Sequence, residues 1–266
     1  MKVTIIGAGN IGGAIARGLS LGSVVKAADI CCTDRSQHIL DRLKAWNPEF
    51  VTSLDNAEAA RKSEIIIVAV KPWMVQPVLE EIKSQLDYNR QVVVSIAAGV
   101  TFKDLSEYLT KITAFGRSLP PLFRVIPNTA IEARSSMTFV SACNASEEQT
   151  ELILRMFDEL GSAMLVDERL MAAGTALASS GIAFALRYIR AAIEGGVELG
   201  FYPHEAQEIV VRTVKGAVDL LLANHSNPEQ EIDRVTTPGG ITIRGLNEME
   251  LSGFTSAVIR GLKASK

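Results

Sequence analysis

The amino-acid sequence predicts an α/β protein with a doubly wound sheet in its N-terminal part and an all-helical domain in its C-terminal part. Short apolar, β-branched runs alternate with segments of helical periodicity through the first half of the chain, which is typical of a parallel sheet with helices on both faces. Beyond residue 166 the sequence contains no further strand pattern. We therefore predict one domain at residues 1–165 and a second at residues 166–266.

The elements of the first domain follow from local periodicity. Residues 65–70 are an unbroken apolar run of strand length, and they form the strongest strand candidate. The other predicted strands are residues 3–6, 30–33, around 51, 92–96, 123–126, 137–142 and 163–166. Helices are predicted at residues 11–19, 36–46, 56–62, 75–86, 102–109 and 147–160, because apolar side chains recur there at helical spacing.

The second domain is predicted to need cover from outside itself. Residues 172–192 are apolar or small on most helical faces, and such a helix is buried in a domain centre or between subunits. Further helices are predicted at residues 204–224 and 242–263. A lone helical domain of about 100 residues has too little interior to cover this surface, so we expect another subunit to cover it.

Composition argues against several classes of function. The net charge is −3 with scattered basic residues, so we expect a small-molecule substrate and no nucleic acid. The three cysteines, Cys31, Cys32 and Cys143, form neither a disulfide framework nor a metal-site spacing, and no metal is predicted. We find no signal peptide and no apolar stretch of about 18 residues. We therefore expect a soluble, cytoplasmic protein without a membrane partner.

A glycine-rich loop carries the strongest chemical indication. Its sequence follows the first predicted strand and opens the first predicted helix, and it comprises Gly7, Ala8, Gly9, Asn10, Ile11 and Gly12. This is the G-x-G-x-x-G pattern of a Rossmann dinucleotide-binding domain in the context that supports it. The first glycine permits a tight turn, the second lets backbone approach a pyrophosphate, and the third lets the helix pack on the strand.

The residues after the second strand bear on the choice of cofactor. A selecting residue is expected about 20 residues beyond the loop, where Asp34, Arg35 and Ser36 stand. Asp34 suits the ribose 2′-hydroxyl of NAD, whereas Arg35 and Ser36 suit the 2′-phosphate of NADP. We favour NADP and keep NAD as the alternative.

Two further segments resemble a known family. The predicted strand at 65–70 runs into Lys71-Pro72, giving "AVKP", and Pro238-Gly239-Gly240-Ile241-Thr242 precedes a predicted helix. Together with the glycine loop, these segments resemble pyrroline-5-carboxylate reductase over essentially the whole chain. The resemblance implies reduction of 1-pyrroline-5-carboxylate to L-proline with NAD(P)H, the last step of proline biosynthesis. It also implies interlocked homodimers, in some members assembled further, whose sites pair one subunit's Rossmann domain with another's helices.

The resemblance also implies roles for individual residues. Besides the glycine loop, the cofactor would contact Asn56, Ala69, Val70, Lys71, Pro72, Ile96, Ala97 and Ala98. The substrate would contact Asn128, Gly240, Ile241 and Thr242. Departures from the family pattern place Ala130, Ser179 and Ile182 where proline, glycine and proline are usual. These departures leave the exact imine substrate open.

Thr242 is the predicted catalytic residue, because a hydroxyl can both donate to and accept from an imine nitrogen. The free amides of Gly240, Ile241 and Thr242 at a helix start would bind the substrate carboxylate. The alternative is that Thr237 or Thr242 only caps this helix. Lys71 has two interpretations, a general acid or a solvated loop residue, and the second is favoured. Of the histidines, His225 alone lies in a loop leading toward this turn.

Two other functions remain open. A related imine, ketimine or β-hydroxyacid reductase can share this scaffold, although the β-hydroxyacid type needs a lysine in the interdomain helix, and residues 172–186 contain none. A non-catalytic NAD(P)-binding regulator is the alternative from another class. It would bind the cofactor without turnover.

Overall fold

The computed structural model describes residues 1–114 and 116–266. An eight-stranded sheet forms the centre of the N-terminal part of the chain. By internal contacts the chain divides into two units, Met1–Ser179 and Ser180–Lys266. The strands, in chain order, are β1 (Val3–Ile6), β2 (Ile30–Thr33), β3 (Val51–Ser53), β4 (Ile65–Val68), β5 (Val92–Ser95), β6 (Lys111–Thr113), β7 (Gly116–Ser118), β8 (Leu122–Ile126), β9 (Ser136–Cys143) and β10 (Gly161–Leu165). The sheet order is β10-β9-β8-β5-β4-β1-β2-β3, and β6 and β7 form a separate hairpin.

Helices cover both faces of this sheet. They are α1 (Asn10–Ser20), α2 (Gln37–Trp46), α3 (Asn56–Arg61), α4 (Pro72–Lys83), α5 (Phe102–Leu109), α6 (Glu147–Asp158) and α7 (Met171–Gly174). Short 3-10 turns lie at Ala27–Asp29, Thr129–Ala133 and Glu168–Leu170, and a π-helical turn spans Thr175–Ser180.

The alternation of strand side chains explains the two layers. In β4, Ile65 and Ile67 join one buried cluster, which includes residues of α1, α2 and α6. Ile66 and Val68 point the other way and join a second cluster with residues of α4 and α5. Because successive strand residues face opposite sides, a strand covered on both sides must be apolar throughout. The unbroken apolar runs of the sequence are therefore central strands.

The sheet departs from the all-parallel arrangement expected from the sequence. β8 is parallel to β5, but β9 runs antiparallel to β8, with Ile126 opposite Phe139. The segment between β8 and β9 holds only the turn Thr129–Ala133. A parallel crossover needs a dozen or more residues, so a shorter connection reverses the chain. The β6–β7 hairpin was not predicted, because its strands are three residues each.

The second unit contains only helices among the described residues. They are α8 (Gly181–Glu198), α9 (Pro203–Asn224), α10 (Pro228–Val235), α11 (Ile241–Leu251) and α12 (Phe254–Ala264). The single helix predicted at 242–263 is wrong, because Gly253 adopts a left-handed backbone with φ +81° and divides it. α10 was missed, although Asn227 caps it and Pro228 occupies its first turn.

The boundary between the units lies later than the predicted residue 165. Met171 is 1% exposed and packs with Ile126 and Phe139, and Ala178 lies against the same cluster. Gly174 lies so close to Phe139 that an added Cβ would approach its ring to 2.7 Å. The segment after β10 is therefore part of the first unit by packing, although its sequence is purely helical in pattern.

One helical run is longer and more apolar than the sequence analysis allowed. Within the described residues, Glu168–Glu198 is 31 residues long and passes a length-and-hydropathy criterion for a membrane span. Only 17% of its most apolar 18-residue stretch is buried. The criterion concerns length and composition alone, and helices that pack in soluble proteins or between subunits also meet it. The expectation that no such segment exists is therefore corrected.

Candidate cofactor and substrate sites

A cleft lies at the carboxyl ends of the central strands, where the strand order changes direction between β1 and β4. Such a switch point is where ligands bind in open α/β sheets. The cavity measures about 620 Å³. Many of the residues predicted to contact the cofactor line this cavity. They are Gly7, Gly9, Asn10, Ile11, Asp34, Arg35, Asn56, Ala69, Val70, Lys71, Pro72, Ile96, Ala97 and Ala98.

Three glycines shape the phosphate-binding end of this cleft. Gly7 has φ +93°, and an added Cβ would lie 2.9 Å from the Ala69 carbonyl oxygen. A Cβ on Gly12 would lie 2.0 Å from the Gly7 carbonyl oxygen, so this glycine lets α1 rest on the loop. Gly9 has no atom within 4 Å of the added position. Gly9 therefore keeps open the space into which a pyrophosphate fits.

The cofactor contacts predicted for the glycine loop need correction at Ala8 and Gly12. The amides of Gly7 and Ala8 both donate to the Thr33 carbonyl oxygen, at 2.8 and 3.1 Å, so neither is free for a phosphate. Ala8 and Gly12 do not line the cleft. The first amides of α1, beginning with Asn10, have no intrahelical acceptor and remain for the anion. The helix dipole adds to their attraction for phosphate.

The end of β2 separates the roles of the three candidate selecting residues. Asp34 accepts a hydrogen bond from the Ser36 amide at 2.9 Å, so its carboxylate holds the turn into α2. Ser36 does not line the cavity. Arg35 is exposed, lines the cavity and has no ion-pair partner among the described residues. Arg35 is therefore the free cation at this end of the cleft.

Asn56 is held in one orientation by its two neighbours. Its Oδ1 accepts from the hydroxyl of buried Thr33 at 2.6 Å, and its Nδ2 donates to Glu81 Oε2 at 3.1 Å. Asn56 and Glu81 both line the cleft. The amide nitrogen of Asn56 is therefore directed toward the side of the cleft that α4 forms.

The wall formed by α4 was missed by sequence reasoning. Met74, Pro77, Val78 and Glu81 line the cleft, as does Pro127 after β8. The α4 residues recur at helical spacing directly after the "AVKP" segment, and that spacing was the available signal. Lys71 precedes Pro72 as the helix N-cap and is exposed. The burial on which a general-acid role for Lys71 depends is therefore absent.

Asn128 has a structural role in this fold. Its side chain is 6% exposed, and Oδ1 accepts from the Ala130 amide at 3.0 Å to start the following 3-10 turn. Its backbone amide donates to Ser136 Oγ at 3.1 Å. Pro127, its neighbour, lines the cleft in its place. The substrate contact predicted for Asn128 stays a prediction.

The second unit presents the N-terminus of α11 with the predicted substrate residues. Gly240 is the N-cap, without a side-chain cap, and its own amide donates to the Thr237 carbonyl oxygen at 2.9 Å. The amides of Ile241 and Thr242 lie in the first turn and have no hydrogen bond among the described residues. Thr242 is the second residue of the helix, so a capping role for it is ruled out. Gly240 is corrected from an amide donor to the residue that shapes the turn.

The burial of the cysteines accords with a structural role. Cys32 is fully buried, and desolvation raises the pKa of its thiol to about 12. Burial also raises the pKa of Cys31. A thiol with a raised pKa forms little of the reactive thiolate. No group of three or more metal-ligating side chains occurs in residues 1–114 and 116–266.

These features define a class of protein, a dinucleotide-dependent oxidoreductase with a Rossmann unit and a helical unit. Residues 2–99 match the family model of NADP oxidoreductases that are coenzyme F420-dependent, and residues 168–266 match that of pyrroline-5-carboxylate reductase dimerisation. Two curated relatives from Dictyostelium discoideum, pyrroline-5-carboxylate reductases 1 and 2, are each 37% identical over 99% of this chain. The chain spans 48% of the first relative and 90% of the second.

A solved structure shows the same fold over the whole chain. It is the Plasmodium falciparum pyrroline carboxylate reductase with NADP bound, 24% identical, with a TM-score of 0.85. The matched region covers 100% of this chain and 95% of the Plasmodium falciparum chain. The chain belongs to the pyrroline-5-carboxylate reductase family.

Proposed function

We propose that this chain reduces 1-pyrroline-5-carboxylate to L-proline with NADPH as the hydride donor. The observation that carries the proposal is the open space at Gly9. On one side of it Gly7 makes the tight turn of the loop, and on the other Gly12 lets α1 pack against that loop. Gly9 lines the cleft beside the first amides of α1, and a pyrophosphate at a helix N-terminus is a ligand that approaches backbone this closely. The names of the two Dictyostelium relatives support the choice of imine and product.

The residues of this chain perform binding and positioning. The bound nicotinamide supplies the hydride. Ala69, Ile96 and Ala98 offer an apolar surface for one end of the cofactor and exclude water from it. The amides of Ile241 and Thr242 bind the substrate carboxylate at the positive end of the α11 dipole. The Thr242 hydroxyl accepts a hydrogen bond from the N–H of the protonated imine, whose ring carbon takes the hydride, and the neutral product amine keeps that proton.

The cofactor preference follows from the charges at the end of β2. The carboxylate of Asp34 is engaged by the Ser36 amide, while Arg35 has its guanidinium free in the described structure. A planar guanidinium suits a phosphate more than a hydroxyl. The NADP in the Plasmodium falciparum relative supports the same preference. NADH is the weaker alternative donor.

We further propose that the working form is a homodimer built through the second unit. Its helices leave large apolar side chains such as Leu199, Ile241 and Leu251 more than 80% exposed. Patches of this kind mark interaction surfaces. The family's dimerisation model covers this region. The pairing of one subunit's Rossmann domain with another's helices, which the sequence resemblance implies, would bring the α11 amides of one chain to the cleft of its partner. Assembly beyond the dimer and a cytoplasmic location stay predictions.

The test follows the loss of NADPH and NADH absorbance with 1-pyrroline-5-carboxylate. We expect turnover with both donors and a lower KM for NADPH. Replacing Thr242 by Ala should reduce kcat by about 10²-fold, the usual contribution of a positioned acid or base group. Thr213→Ala is the control, because within the described residues the hydroxyl of this α9 threonine bonds only to the Ile209 carbonyl oxygen of its own helix.

The outcomes separate the open functions. Absence of turnover with either donor would overturn the proposal, and cofactor binding without turnover would favour the regulator. Faster reduction of a different cyclic imine would keep the reaction class and change the substrate. A fully active Thr242→Ala variant would remove Thr242 from the chemistry.

A further inference from the structure

Helix α4 forms one wall of the cofactor cleft. This wall is apolar over most of its length and ends at the carboxylate of Glu81. Met74, Pro77 and Val78 supply the apolar part, and Glu81 follows one turn after Pro77 and Val78. Pro77 lies inside the helix and restricts its backbone. A flat aromatic base suits this face, because it buries area against rigid side chains. Asp34 and Arg35 line the same cavity from the end of β2.

Glu81 is tied to the glycine loop by a chain of hydrogen bonds. The Thr33 carbonyl oxygen accepts from the amides of Gly7 and Ala8, and its hydroxyl donates to Asn56 Oδ1 at 2.6 Å. Asn56 Nδ2 in turn donates to Glu81 Oε2 at 3.1 Å. Because the Glu81 carboxylate can only accept, the nitrogen of the Asn56 amide faces it, and the Asn56 oxygen is left to accept from the Thr33 hydroxyl.

This arrangement leaves one donor and one acceptor at the cleft. Asn56 Nδ2 carries a second N–H, and Glu81 Oε1 has no hydrogen-bond partner within the described residues. A carboxylate is an acceptor only, so its partner in a ligand must be an N–H or O–H group. Adenine carries an exocyclic amino group as a donor at its edge, beside a ring-nitrogen acceptor.

We propose that Glu81, held by Asn56, recognises the amino group of the adenine in the bound dinucleotide. Resting on the proposed function, the assignment makes Glu81 a specificity-determining residue for the base of the cofactor. A hypoxanthine base replaces the amino group with a carbonyl oxygen, so the edge that carries N7 then offers two acceptors and no donor. That oxygen faces the Glu81 carboxylate as a second acceptor, so the hydrogen bond is lost and repulsion takes its place.

Binding of oxidised dinucleotides tests this without turnover. Isothermal titration calorimetry with NADP⁺ and with nicotinamide hypoxanthine dinucleotide phosphate gives two dissociation constants for each variant. For the wild type we expect about fivefold tighter binding of NADP⁺, a modest ratio because Glu81 is solvent-exposed. Glu81→Gln should bring the ratio close to one, because a side-chain amide can donate to the hypoxanthine oxygen.

A neighbouring glutamate supplies the matched control. Glu80 lies on the same helix and bonds to Gln76 at 2.8 Å, outside the residues that line the cleft. Glu80→Gln should keep the wild-type ratio. Glu80→Gln should also keep the wild-type kcat with saturating NADPH, because Glu80 lies outside the cleft.

Each result decides between the two levels of interpretation. Equal affinity of the wild type for both dinucleotides would overturn the role of Glu81 while leaving the proposed function intact. Equal weakening of both dinucleotides by Glu81→Gln, with the ratio unchanged, would show that Glu81 only supports the fold of the cleft. Failure of the wild type to bind either dinucleotide would overturn the proposed function itself.

Discussion

The two units of this chain differ in how they bury their apolar residues. In the first unit every residue of β1, β4 and β5 is buried. In the second, within the described structure, Ala206 is the one residue that is buried. The first unit therefore satisfies its own core, as an independently folding domain does. The second has helical structure without an interior, which is the state of half an interface.

The contrast teaches that burial of apolar surface stabilises both units in different ways. In the first unit it occurs within the chain, and in the second it occurs between chains. α8 and α9 approach closely at Gly196, where an added Cβ would lie 3.0 Å from the Ala206 Cβ. Tyr188 and Phe254 also meet edge to face, with ring centroids 6.4 Å apart. These contacts pair the helices, yet leave most apolar side chains to solvent. A stable structure for this unit requires a second surface of similar character.

The largest expected effect comes from charging the uncovered surface. Leu186 of α8 is 58% exposed and Leu21 after α1 is 60% exposed. We expect Leu186→Asp to dissociate the dimer and abolish activity, because a charge placed in an apolar interface has no partner. Leu21→Asp should leave mass and activity unchanged. Light scattering at micromolar concentration, combined with the NADPH assay, measures both outcomes.

Equal behaviour of the two variants would contradict the comparison. If Leu186→Asp stayed dimeric and active, this face of the second unit would not be the interface. If the wild type itself had a monomeric mass, the surface would need a different partner.

The second effect is the loss of core packing in the first unit. Phe123 in β8 is fully buried, so Phe123→Ala should lower the free energy of unfolding by about 3–5 kcal/mol. Phe254→Ala, at a residue of the second unit that is 41% exposed, should change it less in the monomeric Leu186→Asp background. Urea denaturation of both variants in that background gives the comparison. A larger loss for Phe254→Ala would mean that the second unit has an interior of its own.

A pair of glycines separates fold from binding within the first unit. Gly9→Ala meets no atom within 4 Å, so we expect an unchanged Tm and roughly tenfold weaker NADP⁺ binding, through loss of close backbone approach. Gly12→Ala places its methyl 2.0 Å from the Gly7 carbonyl oxygen, so it should lower the Tm as well. Calorimetry and thermal unfolding measure both properties. Unchanged affinity in Gly9→Ala would argue against a pyrophosphate in this loop.

The smallest effect is chemical protection of a buried thiol. Cys32 has a pKa of about 12 because burial disfavours its thiolate, so at pH 8 only about one thiol in ten thousand is ionised. The thiolate becomes abundant only when the pH approaches that pKa. At pH 8, well below it, alkylation of Cys32 should therefore be negligible. Mass spectrometry after iodoacetamide treatment should find Cys32 unmodified in the wild type and in Leu186→Asp. Modification in the variant alone would show that the first unit also depends on the dimer.

Much of the first unit was predictable because its signals are local. β1, β2 and α5 have the predicted bounds, since a buried parallel strand is apolar throughout and a helix shows its face every three or four residues. Gly7, Gly9 and Gly12 were predicted with their separate roles, which follow from the absence of a Cβ. The predicted strand 65–70 ends instead at Val68, because Ala69 and Val70 turn to form the cleft edge.

The sequence by itself determined the alternation of strands and helices, the phosphate loop and the surplus of apolar surface in the last third of the chain. Tertiary structure decided the antiparallel β9, the use of the Ala8 and Gly240 amides within the fold, and the meeting of Glu81 with Asn56. The reason is that hydrogen-bond partners distant along the chain leave no periodic pattern in it. Only the assembled sheet brings the ends of β2, α3 and α4 to one cleft.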